Sequence, residues 1–320
     1  MWEFAVYNKM RREKIFLLCD YPKSALYYFY SDVFSLSIFV YGGFMDKELI
    51  LAHLVWYKET VLGIKEQGSF LYKGKEVLEA HILPKNMYLK NLIDKGYFSG
   101  LENISKSVKL HRYFYHLNSS QAFAFNLFCP IVAEKKFLDL LSVAEPASSN
   151  ITENAKAEFE HIEDNSFEKS AERKTHFDFF LEDNGNKHFF EVKYSEDAFG
   201  NCKVDDEHLN KYSTIYKDSL AKIFRDEIIS VDEFCAEYQL WRNICHVVYG
   251  DVYFVFPRFR KDLADTVNSA KERLKDEYKN RVHIMYADDV AKKMIDSENE
   301  KLKAHYEEFC RKYLDIEGLN

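Results

Sequence analysis

Apolar and polar residues alternate along three consecutive segments of the chain. Alternation with a period of two is typical of β-strands, and it predicts strands over Ala157–Ile162, Thr175–Glu182 and Lys187–Tyr194. A strongly apolar run, Val247–Phe256, predicts a fourth strand that ends at Pro257. Helical periodicity between the third and fourth strands predicts helices over Asp205–Arg225 and Val231–Ile244.

A further helix is predicted before the first of these strands. Asn118-Ser119-Ser120-Gln121 combines a polar cap residue with a Gln three positions later, which is typical of a helix start. We expect this helix to run through Phe128, to be kinked or interrupted at Pro130, and to resume over Lys135–Ser142. The loop-like segment Glu145–Ala155 follows. The resulting order is helix, three strands, helix, strand.

The remaining segments predict an α+β region on each side of this core. Before it, strands are expected at Ile15–Cys19 and Val33–Tyr41 and a helix over about Asp46–Lys65. After it, the pattern predicts a charged helix over Lys261–Arg281, a short strand over Val282–Tyr286 and a long helix over Asp288–Leu314. We therefore divide the chain into an accessory domain, 1–110, and a second domain, 111–320, with its core at about 117–257.

Composition and charge narrow the function classes. A net charge of −8 argues against a protein that coats nucleic acid through a broad basic surface, but it is compatible with an enzyme that has a local basic groove. The six cysteines are widely spaced and form no zinc-type pattern, which favours a reducing cytoplasm. The apolar stretch Ala25–Phe44 is interrupted by polar residues and glycines, so we interpret it as a strand rather than a membrane helix.

The hairpin between the second and third strands carries the candidate chemistry. Asn184-Gly185 is a strong signal for a two-residue type I′ turn. With that loop, Asp178 and Glu191 lie equally far from the turn and face each other across the ladder. Lys193 follows two positions after Glu191 and shares its face, while Phe177, Phe179, Phe190 and Val192 are expected to point to the other face. A divalent cation between the two carboxylates would turn their repulsion into coordination.

These residues resemble the signature of the PD-(D/E)XK nuclease superfamily. Phe177-Asp178, the hairpin and Glu191-Val192-Lys193 carry the resemblance, and the element order is similar to the superfamily core. The usual Pro before the Asp is replaced by Phe177. More narrowly, the segment from Leu117 to Gln121, Glu191-x-Lys193-x-x-Glu196 with Phe199-Gly200, and Gln239-Leu240-Trp241-Arg242-Asn243 resemble a bacterial family of restriction endonuclease-like proteins.

The resemblance implies a mixed-sheet α/β fold with a restriction-endonuclease-like αβββαβ core, an N-terminal accessory α+β domain and a C-terminal helical extension. It implies a Mg²⁺-dependent DNA endonuclease, with Mn²⁺ as a substitute, that acts in restriction, defence or repair. Asp178, Glu191 and the carbonyl of Val192 would hold the metal. Lys193 would orient the attacking water and stabilise the charge that develops on the phosphate.

Several nearby residues have both a functional and a structural interpretation. Gln121 is an accessory site residue or a helix cap, and Glu196 is a further site group or a surface charge. Glu158 and Glu160 share a strand face, and Glu160 is the one we expect near the metal. Gln239, Arg242 and Arg258, the last with Arg260 and Lys261, either contact nucleic acid or belong to structural networks and solvated surfaces.

Other functions stay open at this point. An interaction module on a degenerate nuclease fold is disfavoured by the intact Asp178, Glu191 and Lys193, and an RNA-directed or toxin-like nuclease would have the same hydrolytic centre. Lys73-Gly74-Lys75-Glu76 lacks the rest of a phosphate-binding loop, so any ATP-driven step requires a partner. The expected partners are DNA and, as open alternatives, a second copy of the chain and proteins of a defence or repair system; no membrane partner is expected.

Overall fold

The computed structural model describes residues 4–8, 13–17, 44–101, 108–146, 151–164, 166–170, 174–226 and 228–319. The chain divides into two compact units, Met1–Met45 and Asp46–Asn320. The first unit contains an antiparallel pair, β1 (Phe4–Asn8) and β2 (Glu13–Leu17). β2 overlaps the predicted strand Ile15–Cys19, whereas the predicted strand Val33–Tyr41 lies outside the described residues.

The second unit begins with elements that the sequence assigns to the accessory domain. They are α1 (Phe44–Trp56) with a π-helical turn (Tyr57–Val61), the hairpin β3 (Gly68–Tyr72) and β4 (Lys75–Glu79), a 3₁₀ helix (Lys85–Asn91) and α2 (Lys95–Gly100). Buried residues of this segment, such as Ile50 and Leu83, share one hydrophobic core with Phe123 and Phe179. The boundary expected near residue 110 therefore falls inside the second unit.

A five-stranded mixed sheet forms the centre of the second unit, with the order β5-β6-β7-β8-β9. Its strands are β5 (Lys156–His161), β6 (Phe177–Asp183), β7 (Asn186–Val192), β8 (Asp251–Phe256) and β9 (Val282–Tyr286). The first three strands pair antiparallel, and β7, β8 and β9 pair parallel. This sheet, with the helix before it and the helices before β8, confirms the restriction-endonuclease-like α/β fold.

Helices surround this sheet. They are α3 (Ser120–Ala133), α4 (Phe137–Ser142), α5 (Asp206–Lys211), a π-helical turn (Tyr212–Tyr216), α6 (Lys217–Ile223), α7 (Val231–Ala236), α8 (Tyr238–Ile244), α9 (Lys261–Glu272), α10 (Asp276–Lys279), α11 (Ala287–Ile295) and α12 (Glu300–Tyr313). One core contains residues of α3, α11 and α12, and the other contains residues of α6 to α9.

The two helices predicted after the core and the fourth predicted strand differ in detail. The charged helix expected over Lys261–Arg281 is two helices, α9 and α10. The long helix expected over Asp288–Leu314 is also two, and α12 starts anew at Asn299, whose side chain accepts a hydrogen bond from Leu302 N at 3.1 Å. The strand expected from Val247 begins only at Asp251, because Cys245–Val248 forms a 3₁₀ helix.

Pro130 does not interrupt α3, which continues to Ala133. A proline inside a helix leaves the carbonyl four residues earlier without its donor; here this is the carbonyl of Asn126. The buried ring of His305 on α12 donates from Nε2 to Asn126 O at 2.8 Å. This tertiary contact replaces the missing helical hydrogen bond, so the helix continues.

Candidate active site

The hairpin of β6 and β7 has the predicted register. Asn184 and Gly185 form its two-residue loop with φ values of 51° and 82°, as a type I′ turn requires. Asp183 pairs with Asn186 and Phe179 with Phe190. The next position in that register places Asp178 opposite Glu191.

The two carboxylates meet Lys193 at the end of this ladder. Lys193 Nζ lies 2.8 Å from Glu191 Oε1, and Asp178 Oδ2 accepts a hydrogen bond from Val192 N at 2.7 Å. Glu191 and Lys193 are each only 6% exposed. A buried ammonium thus lies beside two acids, and all three predicted catalytic side chains belong to one cluster.

The cluster perturbs the protonation of its members. Burial and the neighbouring charge of Glu191 raise the pKa of Asp178 well above its usual value, against the opposing effects of Lys193 and the Val192 amide. Burial alone would lower the pKa of Lys193, but Glu191, Glu196 and Asp178 outweigh it and raise that pKa. Lys193 is therefore an ammonium at neutral pH.

The opposite faces of this hairpin are buried in different cores. Phe179, Phe190 and Val192 pack in the core that contains α3, as expected for residues pointing away from Asp178. Phe177 differs from the prediction, because it packs in the second core at 4.8 Å from the ring of Phe189. The pleat is therefore not regular next to Asp178.

Glu160 lies next to Asp178 on the neighbouring strand. β5 pairs Phe159 with Phe179 and His161 with Phe177, which leaves Glu160 opposite Asp178. Glu160 has a φ of 55°, a conformation that costs a non-glycine residue about 1–2 kcal/mol. Its charge contributes to the raised pKa of Asp178. Glu158 instead forms ion pairs with Lys156 and His161, each at 2.5 Å.

Gln121 connects Glu160 to the chain segment before α3. Its Nε2 donates to Glu160 Oε1 at 2.6 Å and, more weakly, to Lys109 O at 3.3 Å. Its Oε1 accepts from His111 N at 2.7 Å. The alternative role of Gln121 as a helix cap is not observed, because Ser119 caps α3 by accepting a hydrogen bond from Ala122 N at 3.3 Å. The side chain of Gln121 is engaged across the site instead.

Gln239 reaches the cluster from α8. Its Oε1 accepts a hydrogen bond from Lys193 Nζ at 2.7 Å. The turn after β7 positions this helix, because Gln239 N donates to Phe199 O and Tyr238 N donates to Gly200 O, both at 2.9 Å. Gly200 has a φ of 65°, and a Cβ there would lie 3.0 Å from the Gln239 side chain. The Phe199-Gly200 turn therefore packs against Gln239, next to Lys193.

The model of a family described as Restriction Endonuclease associating with ARP matches residues 51–314. The chain belongs to this family. The match includes every residue of the cluster, which confirms the resemblance to restriction endonuclease-like proteins, and it also includes most of the segment 46–110. No curated protein and no solved structure matches the chain. None of the helices in the described ranges is long and apolar enough to cross a membrane.

The structure does not bring every predicted residue of this restriction endonuclease family member to the cluster. Arg242 lies elsewhere: it is mostly buried, pairs with Glu168 at 3.3 Å and stacks on Tyr216 and Tyr238. Arg242 thus belongs to a structural network, which the sequence left open as the alternative to a contact with nucleic acid. Glu168 is itself buried and accepts a hydrogen bond from Tyr216 at 2.6 Å.

Arg258 and Glu196 are also engaged in local contacts. Arg258 pairs with Asp289, with its guanidinium 4.0 Å from the ring centre of Tyr286. Glu196 Oε2 accepts from Tyr194 N at 2.8 Å, directly after Lys193. Arg260 is buried and donates to the carbonyls of Tyr194 and Glu196 at 2.8 and 2.6 Å. Arg260 and Glu196 thus stabilise the segment that follows β7.

Sequence reasoning missed three basic residues at the entrance to this endonuclease-like site. An open cleft of about 540 Å³ contains Asp178 and Glu160 together with Lys109, His111 and Arg112. The available signal was the grouping of three basic side chains within four positions, shortly before the cap of α3. Nothing in that segment predicts which part of the protein it faces.

The donor set fits Mg²⁺ better than a metal that requires an all-protein cage. Within the described residues, no group of three or more His, Cys, Asp or Glu side chains is arranged to hold a metal ion. Asp178, which lines the open cleft, and the buried Glu191 beside it supply two carboxylates. Mg²⁺ is commonly bound through one or two carboxylates, with water and substrate phosphate completing its octahedron, so the residues present fit this ion.

Proposed function

We propose that this protein is a Mg²⁺-dependent endonuclease that hydrolyses phosphodiester bonds in DNA. The observation that carries the proposal is the convergence of Asp178, Glu191 and Lys193 in the register that the hairpin imposes, with Asp178 lining an open cleft. Membership in a restriction endonuclease family supports the same reaction class. The arrangement is that of a PD-(D/E)XK site in which Phe177 replaces the proline.

The carboxylates of Asp178 and Glu191, with the carbonyl of Val192, would hold the cation. When bound, Mg²⁺ polarises the scissile phosphate and lowers the pKa of a coordinated water. Asp178 is oriented for this task by its hydrogen bond from Val192 N. Mn²⁺ would substitute, since it also prefers oxygen ligands.

Lys193 acts as a hydrogen-bond donor and a positive charge rather than as a general base. Its raised pKa keeps the proton on Nζ at neutral pH. An ammonium at that point orients the attacking water and stabilises negative charge on the phosphate oxygens. Glu191 and Gln239 accept two of its hydrogen bonds and set the direction of the third.

The test is cleavage of plasmid, linear and single-stranded DNA in Mg²⁺, in Mn²⁺ and in EDTA. We expect metal-dependent cleavage that falls by about 10²–10³-fold in Lys193→Ala, the loss typical of removing one group that stabilises developing charge. Asp178→Ala should also abolish it, and Asp178→Asn controls for side-chain volume. Arg225→Ala removes an exposed cation that pairs with Asp276 and should leave the rate unchanged. Cleavage that persists in Lys193→Ala, or in EDTA, would contradict the proposal.

We further propose that the enzyme works with a partner protein. The family's description names an association with ARP, and we extend this association to the present chain. Co-expression with the ARP protein, followed by affinity purification, should recover a complex. Separate elution of the two proteins, with no change in the cleavage rate on mixing, would contradict the extension.

A further inference from the structure

The cleft that leads to Asp178 is lined by both basic and acidic side chains. Lys109, His111 and Arg112, all exposed, form a basic wall of this cleft, and Glu160 of β5 also lines it. The adjoining cleft of about 800 Å³ continues along β5 past Glu158 and also contains Lys109. Cationic side chains thus line one route to the carboxylates.

Among the described residues, the two strong cations of this wall have no acidic partner. Within the described part of the chain, neither Lys109 nor Arg112 forms an ion pair, whereas Lys156 and His161 of β5 both pair with Glu158. The Arg112 guanidinium lies 4.5 Å from the ring centre of Tyr113, which orients it without neutralising it. The positive charge of Lys109 and Arg112 is therefore available to an anionic ligand.

The backbone of this segment is fixed relative to the catalytic residues. Gln121 accepts a hydrogen bond from His111 N, donates to Lys109 O and donates to Glu160, the neighbour of Asp178. Gln121 is itself only 7% exposed. The side chains of Lys109 and Arg112 are mobile by nature, but their Cα atoms are held beside the cleft, which lowers the entropy cost of binding.

We infer that Lys109, His111 and Arg112 form a phosphate-binding wall that holds the scissile DNA strand by its backbone. The inference rests on the proposed function, which it extends from the reaction to the path of the substrate. Contacts of this kind position the backbone and do not select a base sequence.

The test is made in EDTA, which removes the metal, so that DNA binding is measured without cleavage. The affinity of a short fluorescein-labelled single-stranded DNA is measured by anisotropy over a salt series, for wild type and for Lys109→Ala/Arg112→Ala. Each lost phosphate contact should reduce the slope of log K against log salt by about 0.7. Raising salt from about 50 to 200 mM should then weaken wild-type binding about sevenfold more than binding by the double variant.

Two further variants act as controls. Lys217→Ala/Lys222→Ala removes two exposed lysines of α6 that line neither cleft, so it changes the net charge equally and should keep the wild-type slope. Lys109→Arg/Arg112→Lys keeps both charges and should also keep it. Thermal unfolding confirms that each variant is folded.

A reduced slope in the alanine pair alone supports the inference. An unchanged slope in that pair, an equal reduction in the α6 control, or no DNA binding by wild type overturns it. Cleavage in Mg²⁺ is measured separately, so metal-dependent cleavage with an unchanged slope would retain the proposed function and reject the phosphate-binding wall. A reduced slope in the alanine pair without metal-dependent cleavage would retain the phosphate-binding wall and reject the proposed reaction.

Discussion

Replacing Gln239 by Leu should slow cleavage without unfolding the protein. Lys193 Nζ is buried and has hydrogen bonds to Gln239 at 2.7 Å and to Glu191 at 2.8 Å. A hydrogen bond to a charged group contributes about 1.5–3 kcal/mol. If that contribution positions the ammonium in the transition state, its loss lowers kcat about tenfold to a hundredfold. KM should change little, because Gln239 lines neither cleft.

The assay is single-turnover cleavage in Mg²⁺ at saturating DNA, combined with thermal unfolding. Gln239→Glu is the matched variant, since it keeps an oxygen at the same position that can accept from Lys193, and it should retain most of the rate. A merely structural role would lower the unfolding temperature of Gln239→Leu and leave the rate of the folded fraction unchanged. Wild-type cleavage by a folded Gln239→Leu protein would refute the reasoning.

Three further substitutions test contacts that stabilise the elements around the site. Gly200→Ala should cost about 1–2 kcal/mol of stability, because φ is positive there. It should also lower kcat, because the added Cβ crowds Gln239. An unchanged unfolding temperature and an unchanged cleavage rate would count against this. Phe128→Ala removes a buried ring stacked 4.3 Å from Phe179 and should cost about 3–5 kcal/mol in denaturant unfolding, so a loss well under 1 kcal/mol would contradict the packing. Burial lowers the pKa of His305 to about 4 from 6.5. The neutral ring therefore contributes fully to the free energy of unfolding above pH 6.5. This contribution, about 3 kcal/mol, is lost as the pH falls towards 4. His305→Gln keeps a donor and does not titrate, so its unfolding free energy should fall less over that range; parallel pH profiles would refute the assignment.

Local rules were sufficient to predict the hairpin of β6 and β7. Asn184-Gly185 favours positive φ at both loop positions, and this fixes a two-residue turn. The turn fixes the register, and the register places Asp178 opposite Glu191 with Lys193 on the same face. Each step depends on neighbours in sequence, so it could be predicted without knowledge of the rest of the fold.

The environment of the hairpin depends on contacts between distant segments. Gln121 has the sequence signature of a cap residue, yet its side chain bonds Glu160 because α3 packs beside β5. Arg242 lies three positions from Gln239 on the same helix, but burial beside Glu168 removes it from the site. Capping patterns and helical faces cannot distinguish these outcomes, since they contain no information about the partner element.

The sequence by itself determined the order of the core elements and the geometry of Asp178, Glu191 and Lys193, because periodicity and turn chemistry act over a few residues. The mixed sheet was expected from the family resemblance, since local patterns do not determine which strands pair. Tertiary structure decided which polar groups those three side chains meet and which segment forms the cleft. It also decided that α3 continues past Pro130, where His305 supplies the missing hydrogen bond. The physical reason is common to these cases: a buried polar group must find a partner, and only the packed chain determines which one is near.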